Sequence, residues 1–142
     1  MGERTMSVTE IAVQIPNQPG QLVRLTTVLA QAKVNIRGIT ASSAGKRGWV
    51  RLVVDTPQKA EAALEELGLA PETGAAVAVK LIDEPGALDR ALRVLADAKI
   101  NLDYIYTCVG KQAHRAIAVL GVQTPSKVEK LLKEHGIEVL EE

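Results

Sequence analysis

The sequence predicts an α+β protein made of two ferredoxin-like βαββαβ modules in tandem, over residues 7–70 and 75–142. Three observations lead there. The 142-residue chain repeats itself: Asn17–Ile39 aligns with Asp83–Ile105 at an offset of 66, with 11 of 23 positions identical. Each copy then presents strand, helix, strand, strand, helix in the same order. Short connections and right-handed crossovers place two such helices on one face of an antiparallel sheet. A second match, Asp55-Thr56-Pro57 with Gln123-Thr124-Pro125, falls at an offset of 68. The two extra residues of copy two belong to a hairpin, where added length costs little.

The elements follow from periodicity. Val8–Ile15 alternates, with Ile11, Val13 and Ile15 on one face; Val77, Val79 and Leu81 do the same in copy two. A Pro-Gly pair ends each of these strands. Leu22, Leu25, Val28, Leu29 and Ala32 then recur at helical spacing, as do Leu88, Ala91, Leu92, Leu95 and Ala98. Val34–Ala41 and Trp49–Val54 read as strands around a polar turn, Ser42–Gly48. Their partners are Ile100–Val109 and Ala113–Val122, around Gly110-Lys111-Gln112.

The second helix of each copy is punctuated at both ends. Thr56 and Thr124 are placed to cap, with Pro57 and Pro125 opening the helix. Ala60, Ala63, Leu64 and Leu67 form the apolar stripe of one, and Val128, Leu131, Leu132 and His135 that of the other. Gly68 and Gly136 stand where a helix end takes a left-handed residue. Ile137–Glu141 supplies a last strand to copy two. Copy one has only Leu69-Ala70 before Pro71, so its fourth strand is expected to be short or absent, with Pro71–Gly74 as the connection. The second face of copy two is apolar at Ala76, Ala78, Ile82, Ile117 and Val119, as if meant to be covered.

Composition excludes several functions. Lys plus Arg and Asp plus Glu both total 17, so the chain has no basic excess for phosphate backbones. With no Phe, one Trp and two Tyr, it has few rings on which to stack bases, and its core must be aliphatic. No nucleic-acid partner is expected. No apolar run approaches a membrane span, and residues 1–6 do not resemble a signal peptide. A single cysteine, Cys108, leaves no intramolecular disulfide and no multi-cysteine metal site. A cytoplasmic protein without membrane contact, metal or cofactor is expected.

Strand, Asn/Asp-x-Pro-Gly-x-Leu, helix, Ala-Lys-Val/Ile-Asn-Ile/Leu, strand resembles the ACT domain. Asn17–Leu22 through Val34-Asn35-Ile36 carries the pattern in copy one, and Asp83–Leu88 through Ile100-Asn101-Leu102 carries it in copy two. The resemblance spans nearly the whole chain and leaves no room for a catalytic domain. It implies a stand-alone, non-catalytic regulatory protein that binds an amino acid, forms a homodimer and acts on a partner enzyme of amino-acid metabolism. Carried over by motif, the ligand-binding positions are Asn17, Gly20, Gln21, Leu22 and Asn35, with Asp83, Gly86, Ala87, Leu88 and Asn101 in copy two.

The chemistry of the loops agrees. A Pro-Gly turn opens a helix whose first amides lack intrahelical partners and whose dipole favours a carboxylate. Glycine lets a ligand approach the backbone, and Asn offers an acceptor to an ammonium group. The simpler alternative is that Pro-Gly only shapes the turn and the Asn caps it. The carboxylates of copy two, Asp83, Glu84, Asp89 and Asp103, should make its loop the poorer anion receptor, while Arg24 and Arg90 are shared and do not discriminate. Two other functions remain open: an interaction module without ligand, and a small enzyme of acylphosphatase type, although neither Pro-Gly loop contains the Arg such an enzyme needs. His135 is expected to meet terminal carbonyls of its helix, His114 to lie exposed near a hairpin, and Cys108 to be an inert packed thiol.

Overall fold

The computed structural model describes residues 8–109 and 115–140. The chain divides into two compact units, one of Thr9–Gly74 and one that joins Val8 to the residues from Ala75 on. In the first unit, β1 (Val8–Pro16), α1 (Gln21–Gln31), β2 (Ile36–Ala44), β3 (Arg47–Val54) and α2 (Pro57–Glu66) follow in order. The sheet order is β1-β3-β2, both pairings antiparallel. Strand β3 lies in the middle with Val13 opposite Val50 and Ile39 opposite Leu52. Side chains two apart on a strand share a face, so Ile11, Val13, Val50 and Leu52 point together. They pack against Leu25 and Leu29 of α1 and Ala60 and Leu64 of α2, all fully buried. Each large aliphatic side chain buried this way contributes about 1.5–3 kcal/mol.

The second unit repeats the design. It holds β4 (Glu72–Ile82) from Ala75 on, α3 (Ala87–Asp97), β5 (Tyr104–Cys108), β6 (Arg115–Gly121), α4 (Pro125–Glu134) and β7 (Glu138–Val139). Its strands run β5-β6-β4-β7, all antiparallel. Val77, Val79, Ala118 and Leu120 meet Ala91, Leu95, Val128 and Leu132 in an aliphatic core. On the other face of the strands Ala76, Ala78, Ile117 and Val119 are buried outside that cluster, whereas Ile82, at the end of β4, is 51% exposed.

Among the described residues the four helices end alike. Leu69 donates to the Leu64 carbonyl and Gly68 to that of Glu65; Ile137 and Gly136 do the same to Leu132 and Lys133. Gly68 and Gly136 have φ of 88° and 76°, as this double-bonded helix end requires. The first helix of each module closes with the same bonds around a lysine instead. Val34 donates to Leu29 and Lys33 to Ala30, Ile100 to Leu95 and Lys99 to Ala96, with Lys33 and Lys99 at φ 60° and 59°.

Several expected boundaries shift. Strand β2 begins at Ile36, because Val34 and Asn35 complete the turn after α1, and it runs on to Ala44. The polar turn read over Ser42–Gly48 shrinks to Gly45-Lys46, a two-residue loop with Gly45 at φ 66°, since such hairpins favour Gly at positive φ. Strand β5 starts at Tyr104 rather than Ile100, for Ile100 and Leu102 pack onto the core from a loop. Leu69-Ala70 is not a strand, but Glu72–Gly74, read as a connection, forms the start of β4. Strand β7 is shorter than Ile137–Glu141, and Leu140 adds one bond to the Ala78 carbonyl. Thr56 and Thr124 occupy the N-cap positions without a side-chain cap; the Thr56 hydroxyl donates to Asp55 Oδ1 instead, at 3.0 Å. The hairpin around Gly110-Lys111-Gln112, with Ala113 and His114, lies outside the described residues.

Candidate functional site

The Pro-Gly loop of module one is built by three backbone contacts. The Gln18 amide donates back to Pro16 (3.0 Å), Gln21 to Gln18 (3.3 Å), and Arg24 to Gly20 (3.1 Å). Gly20 is the N-cap residue, at φ 85°. A Cβ there would meet nothing within 4 Å, so glycine is required by the backbone angle and the space over the turn is open. The helical ladder leaves the amides of Leu22 and Val23 without i−4 carbonyls. Asn17 does not cap the helix. Its backbone amide donates to Lys46 (2.8 Å) and its Nδ2 to Gly45 (3.0 Å), tying the loop to the β2–β3 turn and leaving Oδ1 as an acceptor.

That tie frames a cleft of about 230 Å³. The end of β1 and the loop supply Ile15, Pro16, Asn17 and Gln18; α1 supplies Gln21 and Leu22; the hairpin supplies Ala41, Ser42, Ser43, Gly48, Trp49 and Val50. Leu22 and Trp49 are each 39% exposed. Asn17, Gln21 and Leu22 therefore come together at the open Gly20 turn. Asn35 does not join them. It lies beyond the C-terminal end of α1, about 16 Å of helix away from Gly20. There its amide donates to Asp55 Oδ1 (2.9 Å) and its carbonyl accepts from the Asp55 amide (3.1 Å). The Asn35 amide, with the Thr56 hydroxyl, holds the Asp55 carboxyl below its ordinary range.

The second loop has the same backbone but a different cover. Glu84 donates to Ile82 (2.8 Å), Ala87 to Glu84 (3.3 Å), and Arg90 to Gly86 (3.0 Å), with Gly86 at φ 89°. Arg90 Nη2 is 3.0 Å from Glu84 Oε1, and a Cβ on Gly86 would stand 3.3 Å from Arg90 Nη1. The guanidinium thus lies over the turn that in module one is open. Arg24, its counterpart, reaches Gln21 Oε1 at 3.5 Å, so the two arginines do distinguish the loops, contrary to expectation. Asp83 is exposed, Ala87 is buried in the core and Leu88 is 40% exposed. Asn101 sits past the end of α3, its Nδ2 3.5 Å from Asp103 Oδ1. Gln123 Nε2 donates to Asp103 Oδ2 at 2.6 Å.

Sequence reasoning missed Trp49, Ser42 and Ser43 as cleft residues. The serines, expected in the polar turn, instead pair inside the ladder, Ser42 with Trp49 and Ser43 with Gly48. The available signal was the chain's one Trp, placed next to Val50 on the strand face opposite the helix-side core. His135 behaves as expected: its Nδ1 is 2.9 Å from the Leu131 carbonyl. Cys108 is half-buried at the end of β5. Among the described residues no His, Cys, Asp and Glu cluster could hold a metal ion, and no helix is long and apolar enough to cross a membrane.

No curated protein matches the sequence. Among solved structures, a protein from Bacteroides thetaiotaomicron is 25% identical and superposes with a TM-score of 0.87, over 96% of this chain and 93% of that one. The regulatory subunit of aspartate kinase from Thermus thermophilus, in a ligand-free form, is 18% identical with a TM-score of 0.66, over 93% and 95% of the two chains. The corresponding subunit from Thermus flavus is 19% identical with a TM-score of 0.61, over 91% and 90%. The Thermus likenesses speak for the fold alone. The family model described as an ACT domain pair matches residues 6–142. With two βαββαβ modules, a Pro-Gly loop opening the first helix of each, and that match over nearly its whole length, the chain belongs to the ACT domain pair family.

Proposed function

We propose that this ACT domain pair is a non-catalytic sensor that binds a free amino acid at the Pro-Gly loop of module one and regulates a partner enzyme of amino-acid metabolism. The observation that carries this reading is the cleft in which Asn17, Gln21 and Leu22 meet at the uncovered Gly20 turn. Its size lies just under the ~300–1,000 Å³ of drug-sized pockets, as suits a smaller ligand. The α-carboxylate docks on the amides of Leu22 and Val23, and Asn17 Oδ1 accepts from the α-ammonium group. The fold shared with regulatory subunits of aspartate kinase supports a partner of that kind.

The second loop, with Asp83, Gly86, Ala87, Leu88 and Asn101, is the weaker site in this proposal, because Arg90 and Glu84 cover its turn. Occupancy is relayed only if the ligand binds two conformations or assembly states unequally; assembly as a homodimer offers one such state, and sedimentation with and without ligand measures it. A thermal-shift screen over the common amino acids tests the reading. At a hundredfold excess over its dissociation constant a true ligand adds about 2.7 kcal/mol of stability. A flat screen removes the sensor function and leaves an interaction module.

A further inference from the structure

The fold gives no reason of its own for glycine at Gly48. The residue lies inside β3, past the Gly45-Lys46 loop, and pairs in regular register with Ile15 of β1 and Ser43 of β2. Its φ is not positive, and the register shift between β2 and β3 falls at Ile36 and Gly38 instead. A Cβ there would make ordinary contacts, 3.4 Å from the Ser42 carbonyl oxygen and 3.7 Å from Ile15 Cγ1. Gly121 differs, because the Tyr104 ring fills its Cβ place. Glycine weakens the interior of a strand. Where neither a bulge nor a bend calls for it, it marks a place where something approaches the backbone closely.

Gly48 is buried, yet it lines the cleft of module one. The place of its missing Cβ is therefore part of the cleft floor. Ile15, Ser43 and Val50 share its strand face. That is the face toward α1, whose Leu22 belongs to the same lining. Apart from the Ser43 hydroxyl these side chains are aliphatic, so an aliphatic group seated over Gly48 gains by its burial.

The repeat shows what the position can carry. Leu81, 66 residues after Ile15, pairs with Ala116 as Ile15 pairs with Gly48. Ala116 packs against the core of module two. The same place in the sheet thus accepts a Cβ in one copy and is bare in the copy whose Pro-Gly turn is open.

We infer that Gly48 is the specificity-determining residue of this cleft, leaving the room that takes the branched aliphatic side chain of an amino acid. This rests on the sensor reading above.

The experiment titrates the full chain by calorimetry with the common amino acids, as wild type, Gly48→Ala and Ala116→Gly. Wild type is expected to bind leucine, isoleucine or valine roughly tenfold or more tighter than alanine and glycine. Gly48→Ala should weaken that preferred ligand by about tenfold or more and alanine by less than about threefold. Its melting temperature should equal or exceed the wild-type value, because a strand interior favours Ala over Gly. Ala116→Gly should leave the ranking unchanged. A Gly48→Ala protein that unfolds or melts lower, keeps its full affinity for the branched ligand, or loses alanine as strongly overturns the inference while the sensor reading stands. So does a wild-type protein that prefers any other amino acid, or a ranking altered by Ala116→Gly. Failure of every common amino acid to bind at millimolar concentration overturns both.

Discussion

Asn35 and Asp55 exchange two hydrogen bonds: the Asn35 amide donates to Asp55 Oδ1 at 2.9 Å, and the Asp55 amide donates to the Asn35 carbonyl at 3.1 Å. The pair joins the chain leaving α1 to the chain entering α2. Oδ1 accepts the Asn35 amide more strongly when the carboxyl is ionised, and the Asn35 amide is the main cause of its lowered pKa. A carboxyl lowered on folding stabilises above its unfolded pKa, near 3.9, and that contribution is lost as pH falls through the lower folded value. Asp55→Ala should therefore lower the melting temperature at pH 7, and the gap to wild type should narrow below about pH 4. Melting curves by circular dichroism across that range check it; a gap constant down to pH 2 would refute it.

Tyr104 lies across Gly121, its cross-strand neighbour between β5 and β6. The ring occupies the place where a Cβ on Gly121 would stand, and it stacks at 6.2 Å on Tyr106. Gly121→Ala must displace the ring and should cost about 1–3 kcal/mol in urea unfolding. Gly74→Ala is the control. A Cβ there meets nothing within 4 Å, so its effect should be within about 1 kcal/mol of zero.

Lys33 and Lys99 hold left-handed backbone at the ends of α1 and α3, which costs an L-residue roughly 1–2 kcal/mol. Replacing either with Gly should stabilise the protein, by up to about 1 kcal/mol once the extra freedom of unfolded Gly is subtracted. Gly68→Ala and Gly136→Ala should destabilise it by a similar amount. Chemical denaturation of the four variants gives the comparison, and a loss of stability in both lysine variants would contradict the account.

Gln21 is the first residue of α1. A carboxylate there complements the helix dipole, so Gln21→Glu should raise stability by about 0.3–1 kcal/mol at low salt. The same charge repels a ligand carboxylate at the Gly20 turn, and amino-acid binding should weaken severalfold. A variant both more stable and better at binding would place the carboxylate elsewhere. Breaking the exposed Glu84–Arg90 pair with Glu84→Gln should change stability by less than about 1 kcal/mol, while freeing the turn at Gly86.

The sequence by itself determined what depends on neighbours along the chain. Alternation at Ile11, Val13 and Ile15 placed the core face of β1, because side chains on a strand repeat every two residues. Gly68 and Gly136 marked two helix ends, because glycine alone takes a left-handed angle without penalty. Repetition at an offset of 66 gave the two modules and, with the Pro-Gly motif, the family. Tertiary structure decided the rest. Lys33 and Lys99 take up the same left-handed angle although lysine does not favour it. Their helices close so that Val34 and Ile100 reach the core, and packing overrides local preference there. Asn17 binds a carbonyl 28 residues away, so nothing near it in sequence tells whether its amide caps, binds or ties a hairpin. Asn35 belongs to the same motif as Gly20, yet a helix of 11 residues separates them. Only the pairing of β2 with β3 carries Ser42, Ser43 and Trp49 to the loop, where they join the lining of a cleft.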